Sequence, residues 1–161
     1  MGASLSTTLE ITADILKQIH SHGEAAYPEE GAGLLFGEAN GDRKRVVSIL
    51  GLNNAREQSA RHNRYLITPQ DMLSGEEQAL RLSLDVVGVF HSHPDHPNRP
   101  SEFDREWAMP WYSYVITSVN GGRAIESRSW RLEEDRSAFI EEQIQVIGEP
   151  LPVTRTQETN S

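Results

Sequence analysis

The chain has no cysteine among its 161 residues, which excludes disulfides and every thiolate metal site. It has no long hydrophobic run either. The longest apolar stretches reach about five residues, far short of the ~20 that a membrane-spanning helix needs. No basic region followed by an apolar one marks the N-terminus, so no secretory signal is expected and the cytoplasm is the default compartment. Cations are scarce: 15 Lys and Arg stand against 24 Asp and Glu, a formal charge of −9. Non-specific nucleic-acid binding relies on neutralising phosphates with Lys and Arg, so this balance argues against it. An acidic surface keeps a protein soluble. Hydrophobic content is only 37%, low enough to place part of the chain in a polar tail. What is left is one domain's length of chain with no internal repeat. We read residues 1–148 as the domain and 149–161 as a disordered tail.

The hydrophobic patterning predicts an α+β order. Leu9–Ile11 reads as a short strand, and Thr12 as the cap of a helix over Ala13–Glu24 with Ile15, Leu16 and Ile19 on one face. Gly31–Phe36 and Arg43–Leu50 read as strands around the turn Asn40-Gly41-Asp42. Asn53–Asn63 is polar and reads as a mobile loop. A strand at Tyr65–Thr68 and a helix from Pro69 to about Leu82 follow. Asp85–His93 is a strand, and Tyr112–Val119 with Ala124–Leu132 form a hairpin across Asn120-Gly121-Gly122. Phe139, Ile140, Ile144 and Ile147 fall at helical spacing and predict a last helix over Asp135–Ile147.

The chemistry concentrates near the middle. Val86 to Phe90 is apolar and β-branched, as a buried strand is, and His91-Ser92-His93 extend it. Residues i and i+2 of a strand share a face, so both imidazoles can reach one ion while Ser92 points away. Pro94, Pro97 and Pro100 stiffen the loop that returns Ser101 and Asp104. Two imidazoles and a carboxylate suit zinc, and three protein ligands leave a fourth position open, as catalytic sites do. The plainer reading of the same residues is a solvated loop mouth, with Ser101 capping a short helix from Asp104 to Ala108 and an acidic residue at its third position. The two readings are compatible, since a capping serine fixes the helix that carries Asp104. His96 in the same loop is surplus to a complete ligand set. His20, His22 and His62 read as solvated, and Asn98 and Arg99 as exposed loop. Trp107 and Trp111 are read as core aromatics, with a substrate groove as the other option.

Upstream, Pro28-Glu29-Glu30-Gly31-Ala32-Gly33-Leu34-Leu35-Phe36-Gly37 places a carboxylate at the head of a glycine-punctuated apolar strand. Set beside His-Ser-His, seven residues, Ser, two residues and Asp, this resembles the JAMM (MPN-plus) metalloprotease family, from about Leu9 to about Ile147. The resemblance implies a mixed curved β-sheet flanked by helices, an α-β-α architecture like that of cytidine deaminases. It implies Zn2+ on His91, His93 and Asp104, Glu30 as the base for water and acid for the leaving amine, and Ser101 as oxyanion donor. Members cut amide or isopeptide bonds beside the C-terminal glycines of ubiquitin or ubiquitin-like proteins. Only seven residues separate Asp104 from Tyr112, so the chain looks like the compact bacterial type, similar to enzymes that trim a ThiS- or MoaD-like sulfur carrier. Two other readings stand beside this: a zinc amidase for a small molecule or short peptide, and a non-catalytic MPN scaffold. Scaffolds of that kind lose the ligands, and all four motif residues are present here.

Overall fold

The computed structural model describes residues 7–52 and 67–148. In chain order they form β1 (Thr8–Thr12), α1 (Ala13–Ala26), β2 (Ala32–Asn40), β3 (Arg43–Leu52), α2 (Pro69–Arg81), β4 (Asp85–Pro94), α3 (Glu102–Trp107), β5 (Ser113–Asn120), β6 (Arg123–Leu132) and β7 (Phe139–Ile147). Each helix starts where the sequence offers an oxygen to an orphan N–H. Thr12 accepts from Ile15 N at 3.1 Å. Thr68 and Asp71 form a reciprocal capping box at α2. No helix among the described residues is long and apolar enough to cross a membrane.

The strands pair in the order β1-β3-β2-β4-β5-β6-β7, and β7 returns to β1, so the sheet closes on itself. β1 runs parallel to β3 and β7, and β4 parallel to β5; the other pairs are antiparallel. The mixed curved sheet expected from the sequence is therefore present, and its curvature goes to completion. Two apolar layers cover its two faces. Ile15 and Ile19 of α1 pack on Leu9, Ile11, Leu35, Phe90 and Val115. Ala79 and Met72 of α2 pack with Leu34, Phe36, Val89, Tyr112 and Tyr114. Each fully buried side chain of this size contributes ~1.5–3 kcal/mol, so both helices are held by packing rather than by propensity.

One irregularity decides what β4 presents to each layer. Leu35 pairs with Gly88, but the next residue, Phe36, pairs with Val86. The extra residue, Val87, makes a bulge. Val86 and Val89 consequently share one face, three residues apart, while Val87 and Phe90 share the other.

The structure corrects the sequence reading at its C-terminal end. Asp135–Ile147 is not a helix: Phe139–Ile147 is β7, the strand that closes the barrel. Its alternation is masked because an inward position carries Glu142 rather than an aliphatic residue. Glu142 is buried and takes hydrogen bonds from Ser129 Oγ at 2.7 Å and from Thr7 Oγ1. Ile144, two residues on, faces the same way into the α1 layer. The strand expected at Tyr65–Thr68 is also absent where it can be seen. Ile67 and Thr68 lie outside any strand, and Thr68 caps α2. Tyr65, the loop Asn53–Asn63 and the tail 149–161 fall outside the described residues.

Gly88 makes the first test of this account. A Cβ there would lie 2.1 Å from the backbone oxygen of Ser113 on β5, which has no rotamer to escape by. Gly88→Ala is expected to destabilise the protein by ~1–3 kcal/mol or more, read as a lower urea midpoint.

Candidate metal centre and active site

Past the bulge β4 alternates regularly. His91 and His93 fall on the face of Val89, and Ser92 on the face of Phe90. Both histidines are buried. The ring of His93 is fixed from behind, its Nδ1 lying 2.7 Å from the Pro97 carbonyl. A carbonyl only accepts, so Nδ1 is the donor of this bond, and in the neutral form of a ring so held Nε2 is the nitrogen with the lone pair.

The carboxylate arrives on α3. Ser101 caps this short helix: its Oγ accepts from Asp104 N at 3.1 Å, and its own N–H donates to Asp104 Oδ2 at 2.7 Å. The box points the carboxylate back at β4. Asp104 Oδ1 lies 3.5 Å from His91 Nε2, and Oδ2 lies 3.4 Å from His93 Nε2. Ligand atoms of the three residues fall within 4.8 Å of one another, a group able to hold a metal ion. In a tetrahedral shell with bonds of ~2.0–2.1 Å, neighbouring ligand atoms stand ~3.4 Å apart. Each oxygen of Asp104 already stands at about that spacing from one imidazole nitrogen.

Glu30 joins from the segment that leads into β2. Ala32, Leu34 and Phe36 face the α2 layer, and Glu30 keeps their parity just before the strand begins. Ala32 pairs with His91, and Glu30 Oε1 comes within 4.0 Å of His91 Nδ1 while remaining buried. Ser92, which faces away from this cluster, secures the arrangement. Its N–H donates to Gly31 O at 3.0 Å, and its Oγ accepts from Gly31 N at 2.9 Å. Gly23 of α1 leaves room for it, because a Cβ there would sit 3.1 Å from Ser92 Cβ.

The protonation states suit a cation. Burial pushes His91 down to about 4, against the opposing pull of Asp104. Burial alone would raise Asp104, but the imidazoles and the Ser101 N–H outweigh it and hold the carboxyl at about 2. Near neutral pH the pair is thus a neutral imidazole and an ionised carboxylate, the forms that ligate metals.

Other residues singled out by sequence lie elsewhere. His96 is exposed and outside the cluster. His20 and His22 are not simply solvated. His20 Nε2 pairs with Ser127 Oγ at 2.9 Å, and His22 meets the edge of Phe90 at 5.3 Å between ring centres. Both sit on the side of α1 turned toward the sheet. His62 lies outside the described residues. Trp107 and Trp111 are exposed by 61% and 56%, so they are not core aromatics. Trp107 and Phe103 wall an apolar cavity of about 130 Å³ that reaches Val89, on the metal-facing side of β4. A larger cavity of about 1260 Å³ opens at the opposite end of that strand, beside Asp85 and Val86. Arg99 is exposed, as expected, but Asn98 is buried. Sequence gave no sign of this, nor of the Ser92 link to Gly31, since both depend on neighbours distant in the chain.

A closed mixed sheet carrying two strand histidines and a capped aspartate defines a small metallohydrolase-like domain. Residues 12–133 match the family described as prokaryotic homologs of the JAB domain. The chain belongs to that family and is a compact prokaryotic JAMM-type protease. It is 30% identical to a desampylase of Haloferax volcanii, over 84% of this chain and 96% of that one. It is 29% identical to a probable TtuB-protein conjugate cleaving protease of Thermus thermophilus, over 76% and 78% of the two chains. Among solved structures, a Salinibacter ruber protein matches at 42% identity with a TM-score of 0.69, covering 88% of this chain and 95% of that one.

The electrostatics predict an acid limb of instability in the metal-free protein. An unfolded histidine protonates near 6.5, whereas His91 in the fold waits until about 4. Between those values the unfolded chain binds more protons, so stability falls as pH drops through the window. Asp104 adds a further loss as pH falls from 3.8 toward 2. The melting temperature of chelator-treated protein should decline from pH 6.5 to 4, and His91→Asn should flatten that decline. Parallel slopes in the two proteins would show that His91 is not the titrating group.

Proposed function

We propose that the protein is a zinc-dependent hydrolase that cleaves an amide or isopeptide bond at the C-terminal Gly-Gly end of a ubiquitin-like sulfur carrier of the ThiS or MoaD kind. The observation that carries this reading is the convergence of His91, His93 and Asp104 at metal-ligand spacing with the Glu30 carboxylate buried beside them. The relatives named as a desampylase and as a TtuB-protein conjugate cleaving protease support a protein-conjugate substrate.

His91 and His93, through Nε2, and Asp104 would hold the zinc. When bound, it supplies Lewis acidity that brings the pKa of water from about 16 toward 7. Glu30 takes the proton of the attacking water and delivers it to the leaving amine. The Ser101 hydroxyl accepts from Asp104 N in the cap, which leaves its own hydrogen to donate to the oxyanion. One serine thus serves both the helix and the reaction. A Gly-Gly tail has no side chain to clash as it runs extended between Glu30 and the metal loop. The folded body of the carrier would dock outside, where the exposed indoles of Trp107 and Trp111 offer apolar contact at low entropic cost.

Four measurements test the reading. Purified protein should hold one zinc per chain, lost in the His91→Ala/His93→Ala/Asp104→Ala variant. Glu30→Gln should keep zinc and fold while kcat falls ~10²–10⁴-fold. Ser101→Ala should lower kcat by ~10²–10³-fold and also cost ~1 kcal/mol through the lost cap. The substrate is examined by mass spectrometry of ThiS-like proteins carrying C-terminal extensions. Cleavage should follow the second glycine and slow sharply when both glycines become alanine. Equal rates on short peptides without a folded carrier would shift the reading to a small-substrate amidase.

A further inference from the structure

Asn98 was expected to be an exposed loop residue, yet it is only 7% exposed. Its side chain and backbone are both engaged by β6. Nδ2 donates to Glu126 O at 3.1 Å, and the Asn98 carbonyl accepts from the Trp130 indole at 3.0 Å. The residue before it, Pro97, supplies the carbonyl that holds His93 Nδ1 at 2.7 Å. That carbonyl belongs to the peptide plane whose other half is the Asn98 nitrogen, so fixing Asn98 fixes the direction in which the Pro97 oxygen points.

This direction has a chemical consequence. A neutral imidazole carries one N–H, and two acceptors face the ring of His93. The Pro97 oxygen is at 2.7 Å from Nδ1, and Asp104 Oδ2 is at 3.4 Å from Nε2. With the carbonyl in place the shorter bond takes the proton, and Nε2 offers its lone pair. If the carbonyl swings away, the better remaining acceptor is the ionised Asp104, which draws the proton to Nε2 and blocks the ligand atom.

We propose that Asn98 and Trp130 are positioning residues: by clamping the metal loop to β6 they keep the Pro97 carbonyl on His93 and so select the tautomer that can ligate zinc. The inference rests on the metal reading above and adds to it the pair of groups that readies one ligand. Partners of this kind that orient a ligating histidine are commonly worth ~10–100-fold in metal affinity.

The test uses Trp130→Phe, which keeps most of the ring and deletes only the indole donor, and Asn98→Ala. Long-range 1H–15N spectra of the metal-free proteins report which His93 nitrogen is protonated, and competition with a chromophoric chelator reports zinc affinity. Both variants should show His93 moving toward the Nε2–H form, His91 unchanged, and zinc binding ~10–100-fold weaker. A purely structural role would lower the melting temperature and leave the His93 tautomer and zinc affinity as in the parent. That result, in either folded variant, overturns the proposal. If Asn98→Ala does not fold, Trp130→Phe alone decides. A parent protein that binds zinc but cleaves no conjugate would overturn the proposed substrate and leave this inference standing. A parent that binds no zinc would overturn the metal reading, and the tautomer spectra would still judge the clamp.

Discussion

The whole site depends on the single extra residue in β4. Side chains in a strand alternate with a period of two, and a slip of one residue turns every later side chain to the other face. Val87 supplies that slip. With it, His91 and His93 look toward α3 and Glu30. Without it, they would look into the α1 layer, among Ile15, Ile19 and Val115, where no described carboxylate of the site could meet them. Gly88, beside the bulge, is where β4 presses on β5, since the approach of Ser113 O leaves no space for a side chain. Local backbone geometry therefore decides which face carries chemistry and which carries packing.

From that fixed strand the other groups are held by short links, each with a separate anchor. Asp104 is aimed by its own helix cap, Glu30 by the two bonds between Gly31 and Ser92, and His93 by the Pro97 carbonyl. The anchors come from α3, β2 and the metal loop, so no one loop motion displaces all of them. The closed sheet serves the same end. Sealing β7 against β1 removes a free edge and ties the first strand to the last, which limits the relative movement of β2 and β4 between them.

How much of this was legible in the sequence follows from the range of each interaction. The His91–His93 pair, the returning Ser101 and Asp104, and the caps at Thr12 and Ser101 are set by neighbours a few residues apart, within reach of a reading by local spacing; Thr68, read as the end of a strand, caps α2 instead. The α+β order follows from periodicity where apolar residues fill the inward positions. It fails at β7, where Glu142 sits inward and only its partners on β6 and near β1, Ser129 and Thr7, explain why a carboxylate is tolerated there. Asn98 failed for the same reason. A polar residue in a proline-rich loop looks exposed until Glu126 and Trp130, 28 and 32 residues away, are seen to engage it. The two tryptophans err in the opposite direction, because hydrophobicity predicts burial only where another surface covers the ring.

The charge balance of this cluster suits it to a cation. Asp104 is buried and ionised, and the His91 imidazole 3.5 Å from it is neutral across the physiological range. Burying a carboxylate costs several kcal/mol unless it is compensated. One backbone N–H from Ser101 and two imidazole edges at 3.4 and 3.5 Å supply that compensation in the fold. A divalent cation between the three residues would turn a net charge of about −1 into about +1, relieving the buried carboxylate and leaving positive charge over at the open position. With a second carboxylate in place of either histidine, the ion and its ligands together would carry no net charge.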